Sequence, residues 1–392
     1  MVLDRKKSKV FLTFFALSLS IVILRYLTDG HDDSSFHYAS IINFARYTNL
    51  QDFWKAMMGH TVQIFRYDYS DYPLFGVFLY FISKTRILTL SSAIVAFFTY
   101  FCLLYPVVDL YKNKLISQLN FLLAFLTVFI LNNYRYTISG MRYCLVVAIL
   151  LLLFYEDSKR NFSFSPFLLW YLIPYFIHTS ALIYIILRLL YPVIKKSKLA
   201  VALPIILLFP IGVTFIPLLA NYTNIGVINL ISQKIISYTR PDAFLEFFGF
   251  KIYLKIYTGT FLSFLYIIIN NFYQKNEASI NEKFYSFINL GYFFSLLNVG
   301  MIPYYNLWDR HIFILFPYLI IALLMMFSTD VRGLGFNNKN IQLFFIIICI
   351  VSMIVGLIYN LNFRPHELLD YSYWQIFTSN IFEFFTNIPR RF

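Results

Sequence analysis

The segment YFIHTSALIY, residues 175 to 184, places His178 beside two hydroxyl residues inside a long apolar run. From Phe162 to Tyr191 this run contains no acidic residue, and its only other basic residue is Arg188. Polar groups are unfavourable in hydrocarbon, so an ionisable residue there indicates a functional site. An imidazole can orient a substrate hydroxyl by hydrogen bonding, or it can take the hydroxyl proton. The sequence leaves both roles open for His178.

Arg142 opens the preceding apolar run, and a basic turn from Glu156 to Arg160 joins the two runs. At 1.5 Å per helical residue, Arg142 lies about 21 Å back from this turn, and His178 lies about 22 Å forward of it. We therefore expect both groups at one depth, in a cavity that opens on the side opposite the turn. Pro174 is expected to break the helix one turn before His178, which would free backbone groups to line that cavity.

Arginine is concentrated on the predicted outer side, which the positive-inside rule disfavours for basic residues. Short loops rich in Lys and Arg stay in the cytoplasm, and most lysines of the chain follow this rule. Ten arginines fall outside instead: Arg46, Arg66, Arg86, Arg135, Arg142, Arg240, Arg310, Arg364, Arg390 and Arg391. The planar guanidinium binds phosphate or carboxylate through paired hydrogen bonds, so this excess predicts an anionic ligand. Single arginines can also reach outer-leaflet headgroups.

The composition shows which elements must position these groups. The chain has 392 residues, of which 59% are hydrophobic, 21% aromatic and 13% charged, and its mean hydropathy is +0.67. These values exclude a soluble domain and predict an all-α polytopic membrane protein, organised as a single integral membrane domain from 1 to 392. About eleven transmembrane helices are expected at 10–27, 88–110, 115–131, 143–155, 163–177, 179–191, 199–220, 253–270, 284–302, 311–328 and 341–359.

The apolar piece at 73–83 is too short to span comfortably, and we interpret it as re-entrant. With this assignment the N-terminal cluster and the later basic loops all lie in the cytoplasm. The outward-facing loops are then long, whereas the internal cytoplasmic loops are short. The larger external segments are predicted at 28–72, 221–252 and 360–392, so the working side of the protein is expected to be the outside.

Four segments of the chain carry a family resemblance. Residues 139–144, SGMRYC, together with the basic turn and the element IHTSAL at 177–182 resemble the central signature of the EpsG and Wzy-type polysaccharide polymerases. GHDDSSFHY at 30–38 is similar to the segment that follows the first helix in that family. DYPLFGVFLYFISK at 71–84 and NLWDRHIFILFPYL at 306–319 are similar to two of its helix starts.

The resemblance implies a polymerase for O-antigen, capsule or exopolysaccharide in a bacterial cytoplasmic membrane, with its active site on the periplasmic or exterior face. Such an enzyme transfers a growing glycan from undecaprenyl pyrophosphate to an incoming lipid-linked repeat unit. No cofactor, metal or nucleic acid is expected. The expected partners are the lipid-linked oligosaccharide, membrane lipids, a flippase and a chain-length regulator.

The chemistry of this transfer assigns roles to seven residues. Negative charge develops on the departing pyrophosphate, and fixed guanidinium groups can stabilise it. The candidates for pyrophosphate binding are Arg142, Arg135 and Arg310. The acceptor hydroxyl must lose a proton to a carboxylate or an imidazole. The candidate catalytic residues are His178, Asp33, Asp71 and Asp309.

Other functions remain open from the sequence. A transporter or lipid flippase would carry charges near the bilayer midplane of several helices, whereas here the charges lie towards one face. A ligase that joins finished glycan to a lipid core uses the same donor. An accessory structural subunit is the least specific alternative. The cluster of His31, Asp32, Asp33 and His37 has the residue types of a metal site, but its spacing matches no standard ligand set.

Overall fold

The structure, a computed structural model, describes residues 4–24, 33–61, 68–132, 137, 140–195, 198–222, 229, 232–233, 236, 250–275, 282–302, 304–328 and 338–361. The described residues are mostly helical and include no β-strand. The first seven α-helices are α1 (Ser8–Leu24), α2 (Asp33–Phe44), α3 (Leu50–Met58), α4 (Pro73–Thr85), α5 (Leu90–Lys112), α6 (Gln118–Leu131) and α7 (Met141–Ser158). The next seven are α8 (Leu172–Ile177), α9 (Ala181–Ile194), α10 (Lys198–Tyr222), α11 (Phe250–Lys275), α12 (Glu282–Met301), α13 (Tyr305–Ser328) and α14 (Asn338–Leu361).

Three helical stretches are long and apolar enough to cross a membrane: Arg5–Leu24, Leu90–Lys112 and Arg310–Phe327. Shorter apolar helices of 10–17 residues are Pro73–Thr85, Gln118–Leu131, Pro166–Ile177, Ala181–Ile194, Pro210–Tyr222, Ile256–Phe272 and Gln342–Ile358. The prediction of an all-α chain with membrane-length apolar helices is therefore confirmed at this level for the described residues.

The surface of the helices is apolar where a soluble protein would be polar. Large hydrophobic side chains are exposed along α10, α11 and α14, among them Leu203, Ile211, Phe215, Tyr257, Phe261, Phe264, Phe272, Leu343, Ile347 and Ile354. Rows of this kind are what a helix presents to lipid. By contrast 89% of the Arg310–Phe327 window is buried, against 28% for Arg5–Leu24. Helix α13 is therefore central and α1 peripheral.

Charged groups meet at one end of α7. The Lys159 Nζ atom lies 3.0 Å from Asp109 Oδ2 and 2.8 Å from Glu156 Oε1. Lys9 of α1 reaches the same Asp109 carboxylate at 3.5 Å, and Tyr155 donates a hydrogen bond to it at 2.9 Å. Lys9 and Lys159 thus lie at the same end of the helices, as the topology derived from the basic residues requires.

A buried ion pair fastens the same end of α7 to α9. Arg188 Nε lies 2.5 Å from Asp157 Oδ2, and both side chains are fully buried. Arg188 also donates to the Ser163 carbonyl at 2.9 Å, and Tyr171 donates to Asp157 at 3.1 Å. The helix α7, the turn after it, the 3-10 helix Pro166–Tyr171 and α9 are therefore held together by one polar network.

The apolar piece at 73–83 is the helix α4. Pro73 occupies its first turn, where a backbone N–H would have no hydrogen-bond partner within the helix. The helix has 13 residues, hence a length of about 20 Å, which is shorter than a hydrocarbon core of about 30 Å.

The predicted helix break at Pro174 was wrong in position. Pro174 lies within α8, near the start of that short helix, where a proline removes no hydrogen bond that the helix needs. The interruption instead falls at His178, whose backbone is extended with φ −158° and ψ 126°. The next helix begins at Ala181. The histidine itself therefore occupies the break.

Gly300 in α12 allows an unusually close approach to α10. A Cβ atom at Gly300 would lie 2.2 Å from the Ile206 carbonyl oxygen and 3.0 Å from its carbonyl carbon. Both atoms belong to the backbone, so no side-chain movement relieves the overlap. We expect Gly300→Ala to separate the two helices and to lower the free energy of unfolding by about 1–3 kcal/mol.

Gly212 provides the matched control, because a Cβ atom there would meet only the Ile216 Cδ1 atom at 3.7 Å. Gly212→Ala should leave the membrane level and the thermal stability of the protein unchanged or slightly raised. Thermal unfolding in detergent measures both variants. Equal stability of the two alanine variants would contradict the close packing of α10 on α12.

Candidate active site

A tyrosine that the sequence did not single out lies between Arg142 and His178. The guanidinium carbon of Arg142 lies 4.3 Å from the ring centroid of Tyr72. The His178 ring stacks on Tyr72 with 5.7 Å between centroids and 29° between planes. All three side chains are at least nine-tenths buried. A cation over an aromatic face is stabilised by the ring quadrupole, more so where water is excluded.

Tyr143 brings Arg310 into the same cluster. Its ring meets His178 edge-on with 5.9 Å between centroids, and the Arg310 guanidinium carbon lies 5.5 Å from the Tyr143 centroid. The Tyr143 hydroxyl donates to the backbone carbonyl of Arg310. Arg142, His178 and Arg310, which come from α7, the break before α9 and α13, are thus grouped around two tyrosine rings.

The backbone fixes how His178 can act. The Ser180 N–H donates to His178 Nδ1 at 3.1 Å, so Nδ1 is an acceptor. In a neutral imidazole the proton then lies on Nε2, because each ring carries one donor and one acceptor nitrogen. The proton of neutral His178 is therefore on Nε2. Proton uptake would require Nδ1, which the backbone of its own turn occupies.

His37 has the opposite arrangement. Ser40 donates to the Phe36 carbonyl at 2.8 Å, and Tyr69 donates to Ser40 Oγ at 2.8 Å. The Tyr69 hydroxyl has no second proton, so the His37 Nδ1–H must donate to its oxygen at 2.9 Å. Neutral His37 consequently keeps its acceptor on Nε2.

His37 lies close to Arg142. Its ring meets the Phe75 ring edge-on with centroids 5.1 Å apart, and the Arg142 guanidinium carbon lies 5.9 Å from the Phe75 centroid. Burial, and secondly the charge of Arg142, hold the pKa of His37 well below its usual value. His37 is therefore neutral near pH 7, and Arg142 has an uncharged neighbour on this side.

A second histidine network supports α13 directly beside Arg310. His311 Nε2 donates to the Phe294 carbonyl at 3.1 Å. Its Nδ1 is therefore an acceptor, and the Tyr184 hydroxyl donates a hydrogen bond to it at 3.0 Å. The two rings are stacked, with 8° between planes. Tyr184 lies in the first turn of α9, shortly after His178. His311 thus links the helix of Arg310 to the helix that follows the break.

Of the other predicted residues, Asp71 ends the 3-10 helix Tyr69–Asp71 and directly precedes Tyr72. It is the only predicted carboxylate whose side chain lies within the described part of the protein. Arg135 lies outside the described residues. Asp33 and Asp309 lie in α2 and α13, with their side chains outside the described set.

Known proteins give no assignment. No family model, curated protein or solved structure matches this chain. Among the described residues, no group of three or more His, Cys, Asp or Glu side chains is placed to hold a metal ion.

Sequence reasoning missed Tyr72, Tyr143, Tyr184 and His311 as members of the cluster, and it considered His37 only for a metal site. Tyr72 had one available signal, since it lies between Asp71 and Pro73 at a helix start inside a segment quoted for the resemblance. The other contacts join residues far apart in the chain. Nothing in their spacing indicates them.

The bond between Tyr184 and His311 can be tested by a double-mutant cycle. Tyr184→Phe and His311→Ala should each lower the free energy of unfolding by about 1–3 kcal/mol. Together they should cost clearly less than the sum, because either change already removes the same hydrogen bond. Thermal unfolding of the purified protein measures the cycle.

Tyr38→Phe serves as the control, because the Tyr38 hydroxyl bonds Ser92 at 2.7 Å in a separate network. Its effect should add to that of His311→Ala. Additivity of Tyr184→Phe with His311→Ala would show that the two side chains act independently and would contradict the network.

Proposed function

We propose that this protein is a glycosyltransferase that polymerises lipid-linked repeat units on the outer face of a bacterial cytoplasmic membrane. The donor is a growing glycan on undecaprenyl pyrophosphate, and the acceptor is an incoming lipid-linked unit. The observation that carries the proposal is the grouping of Arg142 and Arg310 with His178 around Tyr72 and Tyr143. Two cations beside a hydrogen-bond donor suit a ligand with a pyrophosphate group.

The reaction breaks the bond between the anomeric carbon of the donor sugar and a phosphate oxygen. It forms a bond from that carbon to the acceptor hydroxyl oxygen, and the hydroxyl proton passes to a base. The carrier leaves as a pyrophosphate with one more negative charge. Arg142 and Arg310 stabilise this charge, and burial of Arg142 strengthens the effect because little water screens it.

His178 orients a substrate oxygen in this mechanism and does not take the proton. Its Nδ1 accepts the Ser180 N–H, so the ring presents Nε2–H to a sugar or phosphate oxygen. A carboxylate then serves as the base. Asp71 is the candidate next to the cluster, since it directly precedes Tyr72. Asp33 and Asp309 are the other candidates from the sequence.

The membrane arrangement we propose has about eleven spans, a re-entrant α4 and the N-terminus in the cytoplasm. The meeting of Lys9 and Lys159 at Asp109 supports it, because both lysines belong to the predicted cytoplasmic side. Arg142 and Lys159 lie at opposite ends of α7, about 25 Å apart along the helix. The basic cluster and the candidate site therefore belong to opposite faces.

Deletion of the gene, followed by electrophoresis of the surface glycan, tests the function. A polymerase mutant should show single repeat units in place of a ladder. Loss of surface glycan with intact lipid-linked polymer would instead identify a ligase. Accumulation of lipid-linked units on the cytoplasmic side would identify a flippase. An unchanged ladder would reject all three activities.

Complementation of the deletion with Arg142→Lys tests the role of the guanidinium. Lysine keeps the charge but loses the fork that holds two phosphate oxygens. We expect the yield of polymer to fall at least tenfold, with a normal amount of protein in the membrane. Wild-type polymer from Arg142→Ala would remove this residue from the mechanism.

Two amide substitutions test the role of His178. Glutamine places an N–H donor near the position of Nε2, whereas asparagine reaches only as far as Nδ1. If His178 is a donor, His178→Gln should retain measurable polymerisation and exceed His178→Asn and His178→Ala by about fivefold or more, the worth of one hydrogen bond. Near-complete loss in all three variants, at normal protein levels, would show that the imidazole takes the proton.

A further inference from the structure

Helix α3 lies beside the site and has an apolar face that the protein only half covers. Asn49 caps it, with its side chain accepting from the Asp52 N–H. Phe53 and Met57 point into the protein and are buried. The Phe53 ring lies 4.8 Å from the rings of both Phe44 in α2 and Tyr80 in α4. These contacts fix the orientation of α3 on its neighbours.

The next sector of the same helix is apolar and exposed. Leu50 is 40% exposed, Trp54 44% and Met58 45%. The three residues are spaced by four, so they form one stripe along the helix. Such a stripe on an external segment needs a covering partner, because large apolar side chains are unfavourable in water.

The order of residues around α3 identifies the partner. Successive residues are separated by about 100°. With Leu50 at 0°, Phe53 and Met57 lie at roughly 300° and 340°, and Trp54 and Met58 at roughly 40° and 80°. The exposed polar residues Gln51, Lys55 and Asp52 follow at roughly 100°, 140° and 200°.

One flank of the helix thus faces protein, the next is apolar and exposed, and the third is polar. A helix that lies in the plane of a membrane surface meets these three environments in this order. A cytosolic surface helix would show polar residues directly beside its buried side chains.

We propose that α3 lies in the outer membrane–water boundary, with Leu50, Trp54 and Met58 inserted into the phospholipid layer. Tryptophan prefers the headgroup level, where an apolar ring and a polar N–H are both accommodated. Large apolar side chains are also exposed on the helices that pack against α3, since Ile42 of α2 is 50% exposed and Phe81 of α4 is 55% exposed. A lipid surface covers apolar side chains on several helices without a second protein.

This placement sets the depth of the candidate site. The Met57 Sδ atom packs on Gly76, where a Cβ atom would come within 2.6 Å of it. Gly76 lies one helical turn after Tyr72. A headgroup-level α3 therefore holds Tyr72 near the level at which the pyrophosphate of a lipid-linked donor lies. The assignment of α3 to the outer side rests on the proposed topology, and this last consequence rests on the proposed activity. Insertion of α3 into a membrane surface is independent of both.

Fluorescence quenching tests the position of Trp54 in the full chain. The other three tryptophans, Trp170, Trp308 and Trp374, are replaced by phenylalanine, and the protein is reconstituted in phosphatidylcholine vesicles. Lipids brominated at shallow acyl positions should quench Trp54 at least twice as strongly as lipids brominated near the bilayer centre. A matched variant that keeps only Trp308, which is fully buried, should be quenched by neither lipid.

Spin labels provide a second measurement that needs no tryptophan replacement. The native cysteines are buried, so single cysteines introduced as Trp54→Cys or Lys55→Cys can be labelled selectively with a nitroxide. The label at 54 should be more accessible to oxygen than to a water-soluble nickel chelate, and the label at 55 should show the reverse.

Each alternative occupant of the face has its own result. Equal access of both labels to the nickel chelate, without quenching by bromolipids, would place α3 in water and overturn the proposal. Shielding of position 54 from both reagents would show that protein, such as a second copy of the chain, covers the face. That outcome would also overturn the proposal. None of these readings depends on polymerase activity.

Discussion

The buried ion pair between Asp157 and Arg188 is the constraint on which the geometry of the cluster around Tyr72 and Tyr143 depends. Two fully buried charges stay together because separating them would leave an uncompensated charge in an apolar interior, at a cost of about 3–5 kcal/mol. The pair fastens the C-terminal end of α7 to the middle of α9. Because an α-helix is rigid, fixing one end of α7 also fixes the position of Arg142 at its other end relative to the helix break at His178. The hydrogen bonds of Tyr171 and of the Ser163 carbonyl to the pair remove the remaining freedom of the connecting turn.

At the other end of α7, hydrogen bonds set the orientation of the two histidine rings. A backbone N–H donates to His178 Nδ1, and a chain of side-chain hydrogen bonds through Tyr69 holds His37. These hydrogen bonds give the two neutral rings opposite tautomers. Neutral His178 thus carries its proton on Nε2, whereas neutral His37 carries its proton on Nδ1. Arg142 lies near both and is flanked by the rings of Tyr72 and Phe75. Aromatic faces stabilise a cation through the ring quadrupole, more so where water is excluded.

Much of the helical framework and part of the candidate site could be predicted from the sequence. The apolar runs predicted helices, and counting from the turn at Glu156–Arg160 predicted that Arg142 and His178 lie at one depth. The break was misplaced at Pro174 because a proline in the first turn of a short helix has no hydrogen bond to remove. Tyr72 was missed because its position between the two basic groups depends on how α4 packs on α8, a contact between distant segments. In a chain that is 21% aromatic, one such tyrosine has no distinguishing pattern.

The packing of α1 against α5 has a consequence for how the protein is made. Ser20 donates to the Ala93 carbonyl, Thr89 donates to the Leu24 carbonyl, and Lys9 reaches Tyr105 and Asp109. Because α1 ends at Leu24 and α5 begins only at Leu90, α1 leaves the ribosome long before α5 has been synthesised. At synthesis rates of about 5–20 residues per second, the delay is roughly 5–20 s. During that interval α1 must wait in lipid or at the insertion machinery, and Ser20 and Lys9 lack the partners that α5 later provides. Its 28% burial in the finished protein suits a helix that tolerates lipid on most of its surface while synthesis continues.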